Sequence, residues 1–236
     1  MSMEYMDRNL RTVREGIRTA EEAAGRETGS VLLLAAVKYA TDEELEYLCG
    51  ALGVTDIGEN RVQQMLAHYE RMPNPEAVRW HFIGTLQTNK VKYIIDKVCM
   101  IHSVDSLKLA AEIDRQAKKK GIVMDILAEI NSGEEESKSG LAPAEVEAFC
   151  EGVGEYSNLR LRGFMTMAPK CADPTEYLKY FQQTYAQVLD IWTKKLHNIG
   201  KPIVSMGMSE SYKQAIACGS DVVRIGRSLF AKETQV

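Results

Sequence analysis

The chain begins with apolar residues that recur at gaps of four and three, separated mostly by Arg and Glu. This spacing places them on one face of a helix, so it predicts a long amphipathic helix with a single buried stripe. We assign residues 1–28 to this leading element. The residues of the stripe are Met6, Leu10, Val13, Ile17, Ala20 and Ala24.

After this helix, short apolar runs alternate with amphipathic segments eight times. Continuous apolar runs of this kind are typical of parallel strands that are buried on both faces. The predicted strands are 31–37, 54–57, 80–83, 100–104, 123–130, 159–167, 203–206 and 222–225.

Helix signals fill the intervals between these runs. Thr41 followed by Glu44 forms a capping box, and Pro143 stands where a first-turn proline opens a helix. Predicted helices span 41–51, 61–69, 106–120 and 209–217, and others start near 88, 143 and 173, with a short turn after Gly226. The buried face of the helix from 173 is predicted to be Leu178, Phe181, Tyr185, Val188, Trp192 and Leu196.

Eight strand–helix units with short connections predict an α/β protein with a parallel sheet. Eight units in about 200 residues match a closed (β/α)8 TIM barrel better than an open sheet. No Pro- or Ser-rich linker interrupts the alternation. We therefore interpret residues 1–236 as a single domain, with the leading helix packed on the barrel.

Composition narrows the environment and the partners. The net charge of −4 argues against nucleic acid or an anionic membrane as the main partner. No segment reaches the roughly 20 apolar residues of a membrane span, and the N-terminus lacks the apolar region of a signal peptide. The five cysteines form no C-x-x-C pair, which favours reduced thiols and a cytoplasmic location.

Lys38 follows directly after the first apolar run. Active sites of (β/α)8 barrels lie at the carboxyl ends of the strands, so this lysine is expected at the barrel mouth. Desolvation there disfavours the ammonium form and exposes a nucleophilic amine that can form Schiff bases. The alternative is a lysine that extends to the rim and pairs with a carboxylate.

The segment Ser205–Ser209, with Gly207 at its centre, leads from the seventh strand into a predicted helix, and Gly226 ends the eighth strand. Loops after the seventh and eighth strands form the usual phosphate site of these barrels, and glycine permits close approach of the backbone to an anion. The alternative is a tight turn with Ser209 as N-cap. We favour the phosphate site because both loops occur at the expected place.

Two further polar residues stand at strand ends. Arg224 suits either a ring nitrogen or a structural salt bridge, and at a pyridine nitrogen it would keep that nitrogen unprotonated. Asn60 suits either the hydroxyl group of a bound ring or the N-cap of the following helix. His81 is interpreted as a packing or hydrogen-bonding residue of the third strand, and the acidic segment 134–138 as a solvated loop.

Together these motifs resemble the YggS/PROSC family of pyridoxal phosphate homeostasis proteins, from the first strand to the end of the chain. The longest match is Trp80-His81-Phe82-Ile83-Gly84-x-Leu86-Gln87-x-Asn89-Lys90. The others are Gly58-Glu59-Asn60, Gly163-Phe164-Met165-Thr166-Met167, Ser205-Met206-Gly207-Met208-Ser209 and Val223-Arg224-Ile225-Gly226.

The resemblance implies a fold similar to the barrel domain of alanine racemase, a fold type III protein, with pyridoxal 5′-phosphate (PLP) as a Schiff base on Lys38. It implies phosphate contacts from Ser205, Met206 and the backbone of Gly226-Arg227. Arg224 would then face the pyridine nitrogen, with Asn60 and Met165 beside the ring. Arg227 stands where the family often has Thr or Ser, which puts a hydroxyl contact in doubt and leaves the backbone contact.

Three functions are compatible with these residues. The first is a non-catalytic PLP carrier in cofactor homeostasis, with apo PLP-dependent enzymes as possible partners. The second is an amino-acid racemase of the same barrel type, which needs a second acid/base opposite the cofactor. The third is a Schiff-base lyase that uses Lys38 without a cofactor. Only about ten residues follow Gly226, so we expect no second domain to supply that acid/base, and we favour a monomeric carrier.

Overall fold

A computed structural model describes residues 3–133, 139–171, 173–195 and 201–232. The strands are β1 Leu32–Ala36, β2 Asp56–Glu59, β3 Arg79–Phe82, β4 Met100–Val104, β5 Met124–Ile130, β6 Leu159–Thr166, β7 Ile203–Ser205 and β8 Val222–Ile225. The helices are α1 Glu4–Ala23, α2 Asp42–Gly50, α3 Val62–Arg71, α4 Val91–Ile94, α5 Leu107–Lys120, α6 Val146–Val153, α7 Pro174–Lys195, α8 Tyr212–Ala217 and α9 Arg227–Phe230.

The eight strands form one closed barrel in the order β1 to β8, and every neighbouring pair is parallel. Closure joins the first strand to the last, with Leu32 opposite Val222 and Ala35 opposite Ile225. The predicted (β/α)8 barrel is therefore confirmed. A parallel closed barrel brings all carboxyl strand ends to one mouth, where Lys38 and Arg224 meet although they are far apart in sequence.

The apolar strands are buried on both faces. One side packs under the helices, and the other fills the barrel interior with small clusters of side chains. One interior cluster contains Leu34, Ile83 and Val222, and another contains Met100, Leu127 and Met165. The interior is thus packed with side chains and is not an open channel.

Helix α1 buries the predicted stripe except for Ala24, which is exposed just beyond the end of the helix. The helix ends one residue earlier because the chain turns there, and Glu21 takes the buried position instead. Its carboxylate accepts the amides of Gly29 and Val31 at 3.0 and 2.7 Å. These bonds fix the connection from α1 into β1.

Several predicted helix starts are correct and one is wrong. The Thr41–Glu44 capping box is present, and Pro143 opens a 3₁₀ turn that leads into α6. Helix α8 begins at Tyr212 rather than at Ser209, because the carbonyl of Met208 accepts the amides of Ser211 and Tyr212 and forms a turn first. Ser211, not Ser209, is the N-cap of that helix.

The buried face of α7 is rotated from the predicted one. Phe181 and Val188 are buried as expected, but Leu178, Tyr185 and Trp192 are half-buried, and Leu196 lies outside the described residues. The residues that complete the buried stripe are Tyr177, Thr184 and Ile191. Thr184 is tolerated there because its hydroxyl donates to the carbonyl of Tyr180 at 2.9 Å. The acidic segment 134–138 also lies outside the described residues.

None of the helices in the described ranges is long and apolar enough to cross a membrane. All five cysteines are free thiols.

Candidate functional site

A cavity of about 370 Å³ opens at the carboxyl ends of the strands. Five of the predicted site residues line it: Lys38, Asn60, Arg224, Gly226 and Arg227. Most of the other lining residues stand at strand ends, and Met208 and Ser209 among them belong to the predicted phosphate segment Ser205–Ser209. The rest were not assigned to the site from the sequence. These are Ala36, Tyr39, Ile83 and Met167.

Lys38 follows β1 at the rim of this cavity and is exposed. Its Nζ lies 4.9 Å from the centre of the Tyr39 ring, and its carbonyl accepts Nε2 of Gln64 at 3.1 Å. The expectation that the barrel mouth desolvates this lysine is wrong, because Lys38 and the neighbouring Tyr39 are both exposed. An exposed amine keeps free access to an aldehyde that enters the cavity.

Arg224 is buried beneath the same cavity on β8. Its Nη1 donates to the carbonyl and to Oγ of Ser205, both at 2.8 Å, and its Nη2 donates to the carbonyl of Thr166 at 2.8 Å. Burial lowers the pKa of Arg224 to about 10, against the opposing effect of Glu129, so the guanidinium is still a cation at neutral pH.

A guanidinium has five N–H donors. These three bonds use both Nη1–H groups and one Nη2–H, so Nε–H and the second Nη2–H are not used by them. No carboxylate of the described residues forms an ion pair with Arg224 within 4.0 Å. The salt-bridge alternative therefore finds no support. The guanidinium is a fixed cation with spare donors at the floor of a cavity.

The loops after β7 and β8 bring backbone amides to the mouth. Gly207 has a φ of +91°, and a Cβ there would lie 2.5 Å from Cβ of Ala215, so only glycine fits without strain. A Cβ on Gly226 would lie 2.9 Å from the carbonyl oxygen of Ala36. Within the described chain, the amides of Ser209 and Arg227 have no acceptor. The Arg227 side chain pairs instead with Glu210 at 2.8 Å.

Three predicted contact residues lie below the cavity rather than on its wall. Ser205 is fully buried and accepts Arg224, as described above. The amide of Met206 donates to the carbonyl of Val222 at 3.1 Å, and its side chain is buried in the core. Met165 packs against Met100 in the barrel interior, and Met167, two residues on, lines the cavity instead.

Asn60 lines the cavity and has an unsatisfied acceptor. Its Oδ1 is buried without a hydrogen-bond partner among the described residues. The N-cap alternative for this side chain is wrong, because α3 begins at Val62 and Arg61 occupies the N-cap position. A buried oxygen without a donor is costly unless something else supplies one, and a ligand hydroxyl would do so.

Glu129 on β5 is a site residue that sequence reasoning missed. It is buried and lines, with Lys38 and Asn60, an adjoining part of the mouth of about 320 Å³. Burial and the nearby Asp105 raise its pKa to about 7, although the hydroxyl of Ser139 donates to it at 3.3 Å. The signal in the sequence is a charge near the carboxyl end of the run 124–130, which also carries Asp125 near its start.

These groups fit a planar, phosphorylated aromatic aldehyde. The amine suits the aldehyde, the spare guanidinium donors suit a ring nitrogen, and the Asn60 oxygen suits a ring hydroxyl. The free amides of the two glycine-containing loops suit a phosphate. Acyl transfer has less support, because the lining residues include neither a cysteine nor a histidine.

Comparison with known proteins agrees with this geometry. Residues 8–233 match the family model described as alanine racemase, N-terminal domain. The chain is 40% identical over 225 residues to the pyridoxal phosphate homeostasis protein of Aquifex aeolicus, with 94% of this chain and 96% of the relative covered. It is 27% identical to the structure of PipY of Synechococcus elongatus with PLP bound, at a TM-score of 0.80, covering 91% of this chain and 100% of that one.

Alanine racemase from Clostridium difficile shares the fold at a TM-score of 0.74 and 17% identity. The match covers 98% of this chain but 58% of the racemase. This likeness supports the barrel architecture alone.

Proposed function

We propose a function on the basis of family membership. The chain belongs to the alanine racemase N-terminal domain family and, within it, to the pyridoxal phosphate homeostasis proteins. Its proposed function is to bind PLP as a Schiff base on Lys38 and to hold it as a carrier in cofactor homeostasis. The observation that carries this proposal is the convergence of Lys38, Arg224 and the two loop amides on one cavity.

Each residue has a role that its surroundings support. The Lys38 amine captures the aldehyde, and PLP, once bound, supplies an electron-withdrawing ring. The spare donors of Arg224 bind the ring nitrogen, and Oδ1 of Asn60 accepts the ring hydroxyl. The amides of Ser209 and Arg227 hold the phosphate. Because Arg224 stays charged at neutral pH, it keeps the ring nitrogen unprotonated and weakens the ring as an electron sink.

The remaining predicted contact residues are not among those that line the cavity, and we propose that they act indirectly. Ser205 fixes the guanidinium from below, and Gly207 lets the loop after β7 turn over the site. Met206 and Met165 support that loop and the strand β6 beneath it. Direct contacts of Ser205, Met206 and Met165 with the cofactor stay predictions.

We propose that this site carries PLP without catalytic turnover. A carrier releases its cofactor, and an exposed Lys38 at an open mouth suits release to an apo PLP-dependent enzyme. We further propose that the protein is cytoplasmic and monomeric, with residues 1–236 as one domain.

An amino-acid racemase is the second candidate, and one observation favours it. Glu129 has a pKa raised to about 7, which suits a proton donor or acceptor at neutral pH, and it lines the mouth with Lys38. Exchange of the Cα proton of L- and D-alanine in D2O, followed by NMR with the PLP-loaded protein, separates the candidates. We expect no exchange above that of free PLP, and exchange that depends on Glu129 would favour the racemase.

The test of PLP binding is an absorbance titration of wild type, Lys38→Ala and Lys170→Ala with PLP. Lys170 is the matched control, because it is an exposed lysine of the neighbouring cavity outside the main site. We expect the wild type and Lys170→Ala to develop the visible band of a bound Schiff base and Lys38→Ala to lack it.

Borohydride reduction followed by peptide mapping should then place the adduct on Lys38. A colourless wild-type protein would contradict PLP binding and leave the lyase alternative, and a full band in Lys38→Ala would move the attachment to another residue.

A further inference from the structure

A chain of hydrogen bonds crosses the barrel interior beneath the cavity and ends on Arg224. Oδ1 of Asp56 lies 3.1 Å from Nε2 of His81, and Nδ1 of His81 lies 3.0 Å from Nε2 of His102. Nδ1 of His102 lies 3.3 Å from Oγ of Ser205, which accepts Nη1 of Arg224 at 2.8 Å. All five residues are buried. This chain of hydrogen bonds therefore connects the amino end of β2 to the Arg224 side chain at the site.

The donors and acceptors of this chain match in one direction when both histidines are neutral. Arg224 donates to Ser205, whose hydroxyl hydrogen then goes to Nδ1 of His102. Nε2–H of His102 donates to His81, and Nε2–H of His81 donates to Asp56. Each neutral imidazole contributes one donor and one acceptor, so every bond is satisfied. This direction keeps a lone pair of Ser205 Oγ aimed at the guanidinium.

Protonation of His81 reverses part of the chain. A protonated His81 donates from both nitrogens, so His102 must accept at Nε2 and carry its hydrogen on Nδ1. Ser205 Oγ then receives two donors, Nδ1–H of His102 and Nη1–H of Arg224, and its own hydrogen must leave the chain. The reversed state keeps a hydrogen bond between His102 and Ser205, but Oγ now accepts from both His102 and Arg224, so the two donors share its lone pairs.

The groups around the two histidines set which state is populated. His81 faces Asp56 of β2, Cys99 before β4 at 3.4 Å and His102 of β4, and Arg79 stands 3.4 Å from Asp56. Burial alone would lower the pKa of His81, but its bonds to Asp56 and Cys99 raise it. His102 faces His81, Ser205 of β7 and Arg224 of β8. Burial, together with the positive charges of His81 and Arg224, holds the pKa of His102 well below its usual range.

We propose that His102 is a positioning residue, which acts through Ser205 to hold the Arg224 guanidinium in register with a bound ring. In this arrangement Ser205 and Thr166 occupy three N–H groups of Arg224, which lines the cavity, and two N–H groups are left for a ligand. This inference rests on the proposed function, since the ring is the ligand that Arg224 meets. It adds a buried histidine relay that lies outside the wall of the site.

The first test needs no ligand. Long-range ¹H–¹⁵N NMR of the wild-type apo protein reports the tautomer of each histidine as pH changes. We expect His102 as the Nε2–H tautomer at alkaline pH and a change to Nδ1–H as His81 becomes protonated, so that both rings share one transition. A His102 that carries its hydrogen on Nδ1 at alkaline pH, or does not respond to His81, overturns the relay.

The second test measures coupling with pyridoxine 5′-phosphate, a probe that has the ring and phosphate but no aldehyde and so binds without Lys38. Its dissociation constant is compared for wild type, His102→Phe, Arg224→Lys and the double variant. We expect His102→Phe to weaken binding about tenfold, as for one lost hydrogen bond to a charged group, and to have little further effect beside Arg224→Lys.

A merely structural histidine would weaken binding equally in both backgrounds, and that result overturns the proposal. His68→Phe is the matched control, because His68 is also a buried histidine bonded to a carboxylate, at 2.5 Å from Glu59, but has no path to Arg224. Ser205→Ala offers the same coupling measurement where His102→Phe folds poorly. Failure of the wild type to bind PLP would refute the proposed function, while the NMR result would still decide the relay.

Discussion

The two sides of the barrel mouth treat a buried charge differently. On the β8 side, Arg224 makes three hydrogen bonds at 2.8 Å to Ser205 and Thr166. On the β5 side, the side chain of Glu129 accepts one long bond, from Ser139 at 3.3 Å, among the residues that the structure describes. Burial opposes the charged form of both groups, but the arginine keeps its charge at neutral pH and the glutamate is poised to lose it. Burial moves both pKa values towards neutrality, and the much higher ordinary pKa of a guanidinium is why Arg224 stays a fixed charge while Glu129 becomes an adjustable one.

The largest expected effect comes from removing the Arg224 side chain. Arg224→Ala removes the donor to two buried carbonyls and leaves Glu129 without its nearby cation. We expect the free energy of unfolding to fall by about 3–5 kcal/mol, as for loss of one member of a buried charged network. Urea unfolding at pH 7 measures this loss.

Arg224→Lys is the control for this prediction, because it keeps the charge but not the planar fork that reaches both Ser205 and Thr166. It should lose clearly less stability than the alanine variant. Equal stability of Arg224→Ala and the wild type would show that the guanidinium does not hold the two strands.

The next largest effect concerns Glu129 and depends on pH. The folded pKa of Glu129 is about 7, above the ordinary value of 4.5, so the folded state binds more protons between these values. This group therefore costs no stability below pH 4.5, and its cost grows as the pH rises to about 7. We expect Glu129→Gln to be about 2–3 kcal/mol more stable than wild type at pH 8 and nearly equal to it at pH 4.

Urea midpoints measured across this range give the difference. A constant offset at all pH values would mean that Glu129 titrates normally in the folded state. Asp96→Asn is a suitable comparison, since the lysines Lys120 and Lys97 lower the pKa of Asp96, and its pH dependence should have the opposite sign.

The smallest effect concerns Ser139, whose hydroxyl contacts Glu129. Because a hydrogen bond at 3.3 Å is long, we expect Ser139→Ala to cost about 0.5–1 kcal/mol at pH 8. The pKa of Glu129 should rise further, since the bond favours the ionised form. NMR titration of the Glu129 carboxyl measures the shift, and a lowered pKa in Ser139→Ala would contradict the assignment of this bond.

The sequence predicted one side of the mouth better than the other. Lys38, Arg224 and Gly226 stand at the ends of apolar runs, and a parallel barrel brings such ends together, so position predicts that they share the mouth. Their roles towards PLP came from the family resemblance. Glu129 lies inside an apolar run, where a charge looks like an interruption rather than a site. Nothing in the local pattern shows that it faces the mouth instead of the helices, because that depends on the shear of the closed barrel.

The exposure of Lys38 and the start of α8 were missed for a related reason. Both depend on how a loop leaves its strand, and local propensity decides such paths poorly. The Met208 carbonyl that delays α8 to Tyr212, for example, acts through a turn that no capping rule indicates. By contrast, the stripe of α1 and the capping box at Thr41 are local patterns, and the structure has both.

The leading helix α1 has a consequence for the order in which the chain folds. Its Asn9 donates to the carbonyls of Leu229 and Ala231, and its Gly16 packs against the Tyr212 side chain, so the first helix binds the last two. During synthesis, α1 and β1 leave the ribosome long before these partners exist. The nascent chain must therefore wait for β8 before the barrel closes, and such distant pairing is slow. The cofactor site, shared between β1 and β8, is assembled in that same final step.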